Sequence, residues 1–207
     1  MPDNELSVLL VDDHALVRRG FRRMLEDEPG IRVVGEAGDG HEAVEAERAL
    51  RPDVVVMDFA LPSMNGAVAA RRMLESNPTL AVLILSMHAE PGYVRTCMES
   101  GVRGYLLKNA MDLELVSAVR RVAAGEQVLD PRLGKPATGD ACTLTTRELE
   151  VLQLIVHGKS NRDIAAVLGL SVNTVAVHRA NIMQSLGIHN TAELVVHAIR
   201  NGLVSIA

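Results

Sequence analysis

The chain has 207 residues, 48% of them hydrophobic but only 2% aromatic and none Trp, with a formal net charge of −5. Its length suits two small domains better than one large one. Its acidity, taken over the whole chain, argues against nucleic-acid binding, and its lack of aromatics argues against stacking platforms for single strands. Asp3 and Glu5 precede any apolar run, the wrong charge for a secretory leader, and the longest apolar stretch, Leu80 to Leu85, is far short of the roughly 20 residues that cross a bilayer. A cytoplasmic protein with no membrane partner is expected. Cys97 and Cys142 are too few and too distant for a disulfide framework or a zinc cluster and read as free thiols.

From Ser7 to about Ala124, short apolar runs alternate with helix-length amphipathic segments. Strands are predicted over Ser7 to Val11, Ile31 to Glu36, Val54 to Met57, Leu80 to Leu85 and Gly104 to Leu107. Runs such as Val54-Val55-Val56 and Leu83-Ile84-Leu85 suit strands covered on both faces. Turn residues fall between the elements, at Pro29-Gly30, Gly38-Asp39-Gly40, Arg51-Pro52-Asp53, Asn77-Pro78 and Pro91-Gly92. The expected fold is α/β: a doubly wound, five-stranded parallel sheet in the order 2-1-3-4-5, of the flavodoxin-like kind, with its functional edge at the strand C-termini.

Residues 7–124 form this domain, and 125–142, with Pro131, Gly134, Pro136 and Gly139 and no sustained period, read as a linker. Residues 143–207 carry no strand signal and four helical segments, an all-α domain. Thr145-Thr146-Arg147-Glu148 and Asn190-Thr191-Ala192-Glu193 have capping-box spacing, Ser160 and Ser171 precede the middle helices, and Gly158, Gly169, Gly187 and Gly202 stand at helix ends. Only Gly169-Leu170-Ser171 joins the second helix to the third, as in a helix-turn-helix.

Strand 1 ends in Asp12-Asp13, strand 3 in Asp58, strand 4 in Ser86 and strand 5 in Lys108. Strands 1 and 3 are neighbours in the expected order, so three carboxylates crowd together at the topological switch point. Like charges so close need a cation, and an all-oxygen donor set suits Mg²⁺. One carboxylate can then attack phosphorus while the metal, a lysine and a hydroxyl stabilise the transferred group. Each residue alone has a plainer reading: an Asp pair caps a helix, a lone Lys is a solvated charge, Ser86 is a turn residue and Tyr105 is packing. Their conjunction at four strand ends favours the chemical reading. His14 and His88 flank the pocket and are read as surface or supporting histidines, since the site is already rich in oxygen.

Val11-Asp12-Asp13-His14, Met57-Asp58-Phe59-Ala60-Leu61-Pro62, Leu85-Ser86-Met87-His88 and Gly104-Tyr105-Leu106-Leu107-Lys108 resemble a two-component receiver domain. The resemblance implies Asp58 as phosphoacceptor and Asp12, Asp13, Asp58 and the Phe59 carbonyl around Mg²⁺. It also implies that Ser86 and Lys108 bind the phosphoryl group and that Tyr105 changes rotamer when Ser86 moves.

Leu144 to Gly187, with Arg147-Glu148, Glu150-Val151-Leu152, Gly158-Lys159-Ser160-Asn161, Thr174-Val175 and His178, resembles the LuxR-type DNA-binding domain. Together the halves are similar to a NarL/FixJ response regulator. Such a protein is phosphorylated by a sensor histidine kinase, dimerises when phosphorylated and binds promoter double-stranded DNA, with RNA polymerase a further partner. On the recognition helix, Val172 to Leu186, an inner face of Val175, Ile182, Met183 and Leu186 would leave Asn173, Ala176, Val177, Arg179 and Ala180 outward. Candidate DNA contacts are Lys159, Asn161, Arg162, Asn173, Thr174, Val177, His178 and Arg179. The resemblance also implies that Val196 and Arg200 on the last helix mark a dimer face.

The chain departs from the LuxR-type pattern at Ala176, a position usually Lys, and near Gln184 and Ser185, so Arg179 is the only Lys or Arg on the recognition helix. Two other readings compete with the regulator. One is a constitutive dimer or ligand sensor with the same DNA-binding half. The other is an aspartyl-phosphate phosphatase resembling the haloacid dehalogenase class, which needs an Asp where Ala60 stands. Residues 1–125 hold 14 basic and 19 acidic side chains, whereas 143–207 hold 5 and 4. The acidity therefore belongs to the receiver-like half, and the DNA-binding half is close to neutral.

Overall fold

A computed structural model describes residues 5–62, 64–108, 114–133, 144–201 and 203–204. The first half alternates strand and helix: β1 (Leu6–Val11), α1 (Ala15–Glu26), β2 (Ile31–Ala37), α2 (Gly40–Leu50), β3 (Val54–Asp58), α3 (Gly66–Ser76), β4 (Ala81–Ser86), α4 (Pro91–Glu99), β5 (Gly104–Leu107) and α5 (Glu114–Ala123). Each of the five predicted strands is found within a residue or so of its expected bounds.

The sheet has six strands, not five, in the order β2-β1-β3-β4-β5-β6, all parallel. The extra strand, β6 (Val128–Leu129), lies in the stretch expected to be a linker and pairs with the edge of β5, Tyr105 opposite Leu129. Two residues are too few to show a period, so the sequence gives no strand signal there.

Alternation along each strand sorts side chains onto two cores. Val8, Leu10, Val54, Val56, Leu83, Leu85 and Leu106 pack with Phe21, Leu25, Leu115, Val119 and Val122 under α1 and α5. Leu9, Val11, Val55, Met57, Val82, Ile84 and Tyr105 face α2, α3 and α4.

The C-terminal helices are α6 (Thr146–Val156), α7 (Asn161–Leu168), α8 (Val172–Ser185) and α9 (Thr191–Arg200). Thr145 and Glu148 close a capping box, and Ser160 with Asp163 closes a second. Gly169 ends α7 with φ 64°, a conformation that glycine adopts freely, which lets three residues turn the chain into α8. Gly202 lies outside the described residues.

The two halves do not keep separate cores. The cluster beneath α2–α4 continues into Leu149, Leu152, Ile164, Val175, Ile182 and Leu194. At the junction Arg72 on α3 pairs with buried Glu150 on α6, which Arg147 also holds at 2.7 Å. The buried Asn65 amide donates to Gln153 Oε1 and the Leu203 carbonyl, each at 3.4 Å. Among the described residues no helix is long and apolar enough to cross a membrane.

The start of α3 sets how close that helix comes to the end of β3. A Cβ added at Gly66 would lie 2.4 Å from the Asp58 carbonyl oxygen and 3.1 Å from Phe59 Cα, both backbone. Gly66→Ala is expected to cost about 1–3 kcal/mol, read as a lower denaturant midpoint. An unchanged midpoint would show that the loop yields without strain.

Candidate functional site

Parallel pairing brings the ends of β1, β3, β4 and β5 to one edge, with Val11 opposite Met57, Asp58 opposite Leu85, and Ser86 opposite Leu107. Asp12, Asp58 and Ser86 are buried there. The Lys108 ammonium lies 2.7 Å from Asp12 Oδ2 and 2.6 Å from Asp58 Oδ2, binding the two carboxylates together. Asp58 Oδ1 accepts the Ala60 N–H at 3.2 Å, and Asp12 Oδ1 accepts the His14 N–H at 2.8 Å.

Asp13 is more exposed, with Oδ1 2.7 Å from His14 Nδ1. One ligating atom from each of Asp12, Asp13, His14 and Asp58 lies within 4.8 Å of all the others. This acidic group can hold a metal ion, and its carboxylates are the hard donors that Mg²⁺ takes. The Phe59 carbonyl, expected among the ligands, already accepts the Leu61 and Gly66 N–H groups at 3.1 and 2.8 Å.

Burial raises the Asp58 carboxyl above its ordinary value, and Lys108 only partly offsets this. Burial works against the Lys108 charge, but the attraction of Asp58 and Asp12 outweighs it and raises the lysine. Ser86 Oγ accepts the His88 N–H at 3.1 Å. Tyr105 is fully buried and donates its hydroxyl to the His88 carbonyl at 2.7 Å, so it is packed inward against the β4–α4 loop. His88 stacks on Tyr93 at 4.2 Å, and Phe59 meets both rings edge-on. Sequence reasoning did not find this aromatic group.

Beside the pocket an apolar groove of about 470 Å³ is lined by Leu16, Val17, Phe21, Met24, Met87 and Lys108. Leu16 is 81% and Met87 69% exposed, apolar side chains held in water at the rim of a charged site.

In the C-terminal half the outer face of α8 is open. Asn173, Ala176, Val177 and Ala180 are exposed, as are Lys159 and Arg162 at the start of α7, where Asn161 is half-buried. Three predicted contacts sit deeper than expected. Arg179 is half-buried and donates to Thr191 Oγ1 at 3.0 Å, and Thr174 shares its hydroxyl with Ser171 at 2.8 Å. His178 is half-buried, with Nδ1 buried. Val196 and Arg200, one turn apart on α9, are both exposed. Cys97 is buried and unpaired; Cys142 lies outside the described residues.

Comparison with known proteins agrees with this geometry. The family described as "Response regulator receiver domain" matches residues 8–120, and "Bacterial regulatory proteins, luxR family" matches 142–198. The oxygen regulatory protein NreC of Staphylococcus carnosus is 37% identical over 96% of this chain and 99% of its own length. The response regulator UvrY of Escherichia coli K12 is 38% identical over 96% of this chain and 95% of its own. The crystal structure of the response regulator ChrA, from a heme-sensing two-component system, matches 97% of this chain and 99% of that one, with 33% identity and a TM-score of 0.55. The chain belongs to the NarL/FixJ family of two-component response regulators, transcription regulators that join a receiver to a LuxR-type DNA-binding domain.

The raised Asp58 carboxyl makes a pH prediction. Its folded value lies above the unfolded value of about 3.8, so the folded state binds the proton more tightly and stability falls as pH rises from there through the folded value. In metal-free buffer Asp58→Asn should therefore melt at a higher temperature than wild type near neutral pH, and the difference should shrink on acidification below about 4. A constant difference across that range would contradict the assignment.

Proposed function

We propose that Asp58 is the phosphoacceptor and that its phosphorylation controls pairing of the chain and its binding to promoter DNA. The observation that carries this is the Lys108 ammonium held between Asp12 and Asp58, with the Ser86 hydroxyl at the end of the adjoining strand. An ionised Asp58 attacks the phosphorus of a phosphohistidine on a sensor kinase. The phosphorus–nitrogen bond breaks, and the departing imidazole nitrogen takes up a proton. Lys108 and Ser86 then hold the phosphoryl oxygens. Asp12, Asp13, Asp58 and the Phe59 carbonyl would hold Mg²⁺, which supplies charge neutralisation for the incoming phosphoryl group.

The groove rimmed by Leu16 and Met87 gives the donor protein an apolar seat beside the acceptor. Ala60 offers no acid or base two residues after Asp58, so the aspartyl phosphate is a signal that decays slowly, not a turnover intermediate, and the protein acts as a regulator in the cytoplasm. Asp58→Asn should take up no phosphate from a cognate kinase or from acetyl phosphate. Wild-type uptake by that variant would place the acceptor elsewhere.

On the DNA side, Asn173 and the 58% exposed Val177 are set to meet base edges and a thymine methyl, with Lys159 and Arg162 on phosphates. Val196 and Arg200 would pair two chains on half-sites about one DNA turn apart, about 34–36 Å. RNA polymerase is the further partner such a complex would engage. With only Lys159, Arg162 and Arg179 to meet phosphates, the unphosphorylated chain should show a shallow salt dependence on non-cognate DNA. A log–log slope of about −3 is expected, and one near −7, as from about eight contacts, would contradict it.

A further inference from the structure

Strand β6 ends in an unusual way. Its pairing with β5 runs from the Val128 N–H to the Arg103 carbonyl (2.8 Å) and from the Asp130 N–H to the Tyr105 carbonyl (2.9 Å). The next donor along β5 is the N–H of Leu107. Pro131 and the turn after it carry the partner strand away, and the Asp130 side chain takes the place of the missing carbonyl, with Oδ2 accepting the Leu107 N–H at 3.0 Å.

That carboxylate is itself fixed. It has no exposed side-chain surface, and its Oδ1 accepts the Arg132 N–H at 3.0 Å and Arg132 Nε at 2.8 Å, while the second guanidinium nitrogen meets Oδ2. Burial would raise this carboxyl, but Arg132 and the two backbone N–H groups reverse the effect and keep it ionised.

Leu107 immediately precedes Lys108, and its side chain is buried. A buried N–H without an acceptor costs about 1–3 kcal/mol, so without Asp130 the end of β5 would gain by shifting toward any other partner. The Lys108 ammonium has to meet two oxygens at 2.7 and 2.6 Å, and a displacement of about 1 Å at such a site is enough to lose much of its effect.

We propose that Asp130 is a positioning residue for Lys108: its carboxylate completes the β5 edge at Leu107 and so fixes where the lysine enters the phosphoacceptor pocket. This rests on the receiver reading of Asp58 and Lys108. Asp130 touches no phosphoryl group and acts through one backbone hydrogen bond. The same bond couples the chain leading to the DNA-binding half directly to the residue before the active-site lysine.

The test uses the full-length chain, with Mg²⁺ and the phosphoryl mimic beryllofluoride as separate probes in titration calorimetry. Mg²⁺ binding alone reports on the carboxylates, whereas beryllofluoride binding also needs Lys108. Asp130→Ala should weaken beryllofluoride binding about tenfold, equivalent to about 1.4 kcal/mol, and leave Mg²⁺ affinity unchanged. Asp130→Asn, whose amide oxygen still accepts the Leu107 N–H, should recover most of the loss. Arg132→Ala, a milder surface change that is informative even if Asp130→Ala does not fold, should lose about threefold on beryllofluoride alone. Equal affinities in the variants and wild type, a parallel loss of both probes, or an Asp130→Asn as weak as Asp130→Ala would each overturn the positioning role. Failure of the wild-type chain to bind beryllofluoride would overturn the receiver reading itself.

Discussion

Two carboxylates buried at the end of one sheet repel each other, and the Lys108 ammonium is what lets this structure keep them there. Asp12 and Asp58 come from adjacent strands, as close as the backbone can bring them. Lys108 leaves β5, two strand spacings or about 10 Å from β3, and its long stem crosses that gap. Strand order, the packing of Leu9, Val11, Val55 and Met57 beneath the site and the inward Tyr105 all serve to hold three charges in register. The same arrangement limits the site chemically. Its carboxylates are hard donors that could hold a metal ion, and the residue two places after Asp58 is Ala60, not a further acid.

The site was legible because its residues stand at strand ends, and strand ends are readable from runs such as Val54-Val55-Val56 followed by a polar residue. Once five strands are placed in a parallel sheet, the convergence of Asp12, Asp58, Ser86 and Lys108 follows from topology alone. Which N–H groups the Phe59 carbonyl accepts was not legible in this way, because the path of the loop decides where Leu61 and Gly66 direct them. Nor was β6: Val128-Leu129 is a lone apolar pair followed by Asp130 and Pro131, and only pairing with β5 makes it a strand.

Charge gave the least warning. Arg72, Glu150 and Arg147 carry no signal in the sequence that they meet, yet they come together at the junction of the halves, with Glu150 buried between two guanidinium groups. A buried carboxylate needs such partners, and the sequence does not say that one comes from a helix some eighty residues earlier. Ser160 was read as preceding a helix, but its capping box with Asp163 was not, because Asp stands where Glu or Gln is the usual signal, although the spacing is the same. On α8, Arg179 was expected outward and instead reaches Thr191 at the start of α9, a partner set by how the two helices cross.

The small strand β6 also has a consequence of reach. Because the sheet grips the chain as far as Asp130 and its turn, and α6 begins at Thr146, only the ten residues 134–143 join the described parts of the two halves. Fully extended, they span at most about 40 Å. Halves that separate thus remain confined to a small volume, where each sees the other at an effective concentration on the order of millimolar. The polar contacts of Arg72 and Asn65, beside the apolar cluster that the halves share, thus act between partners that the chain never lets drift far apart.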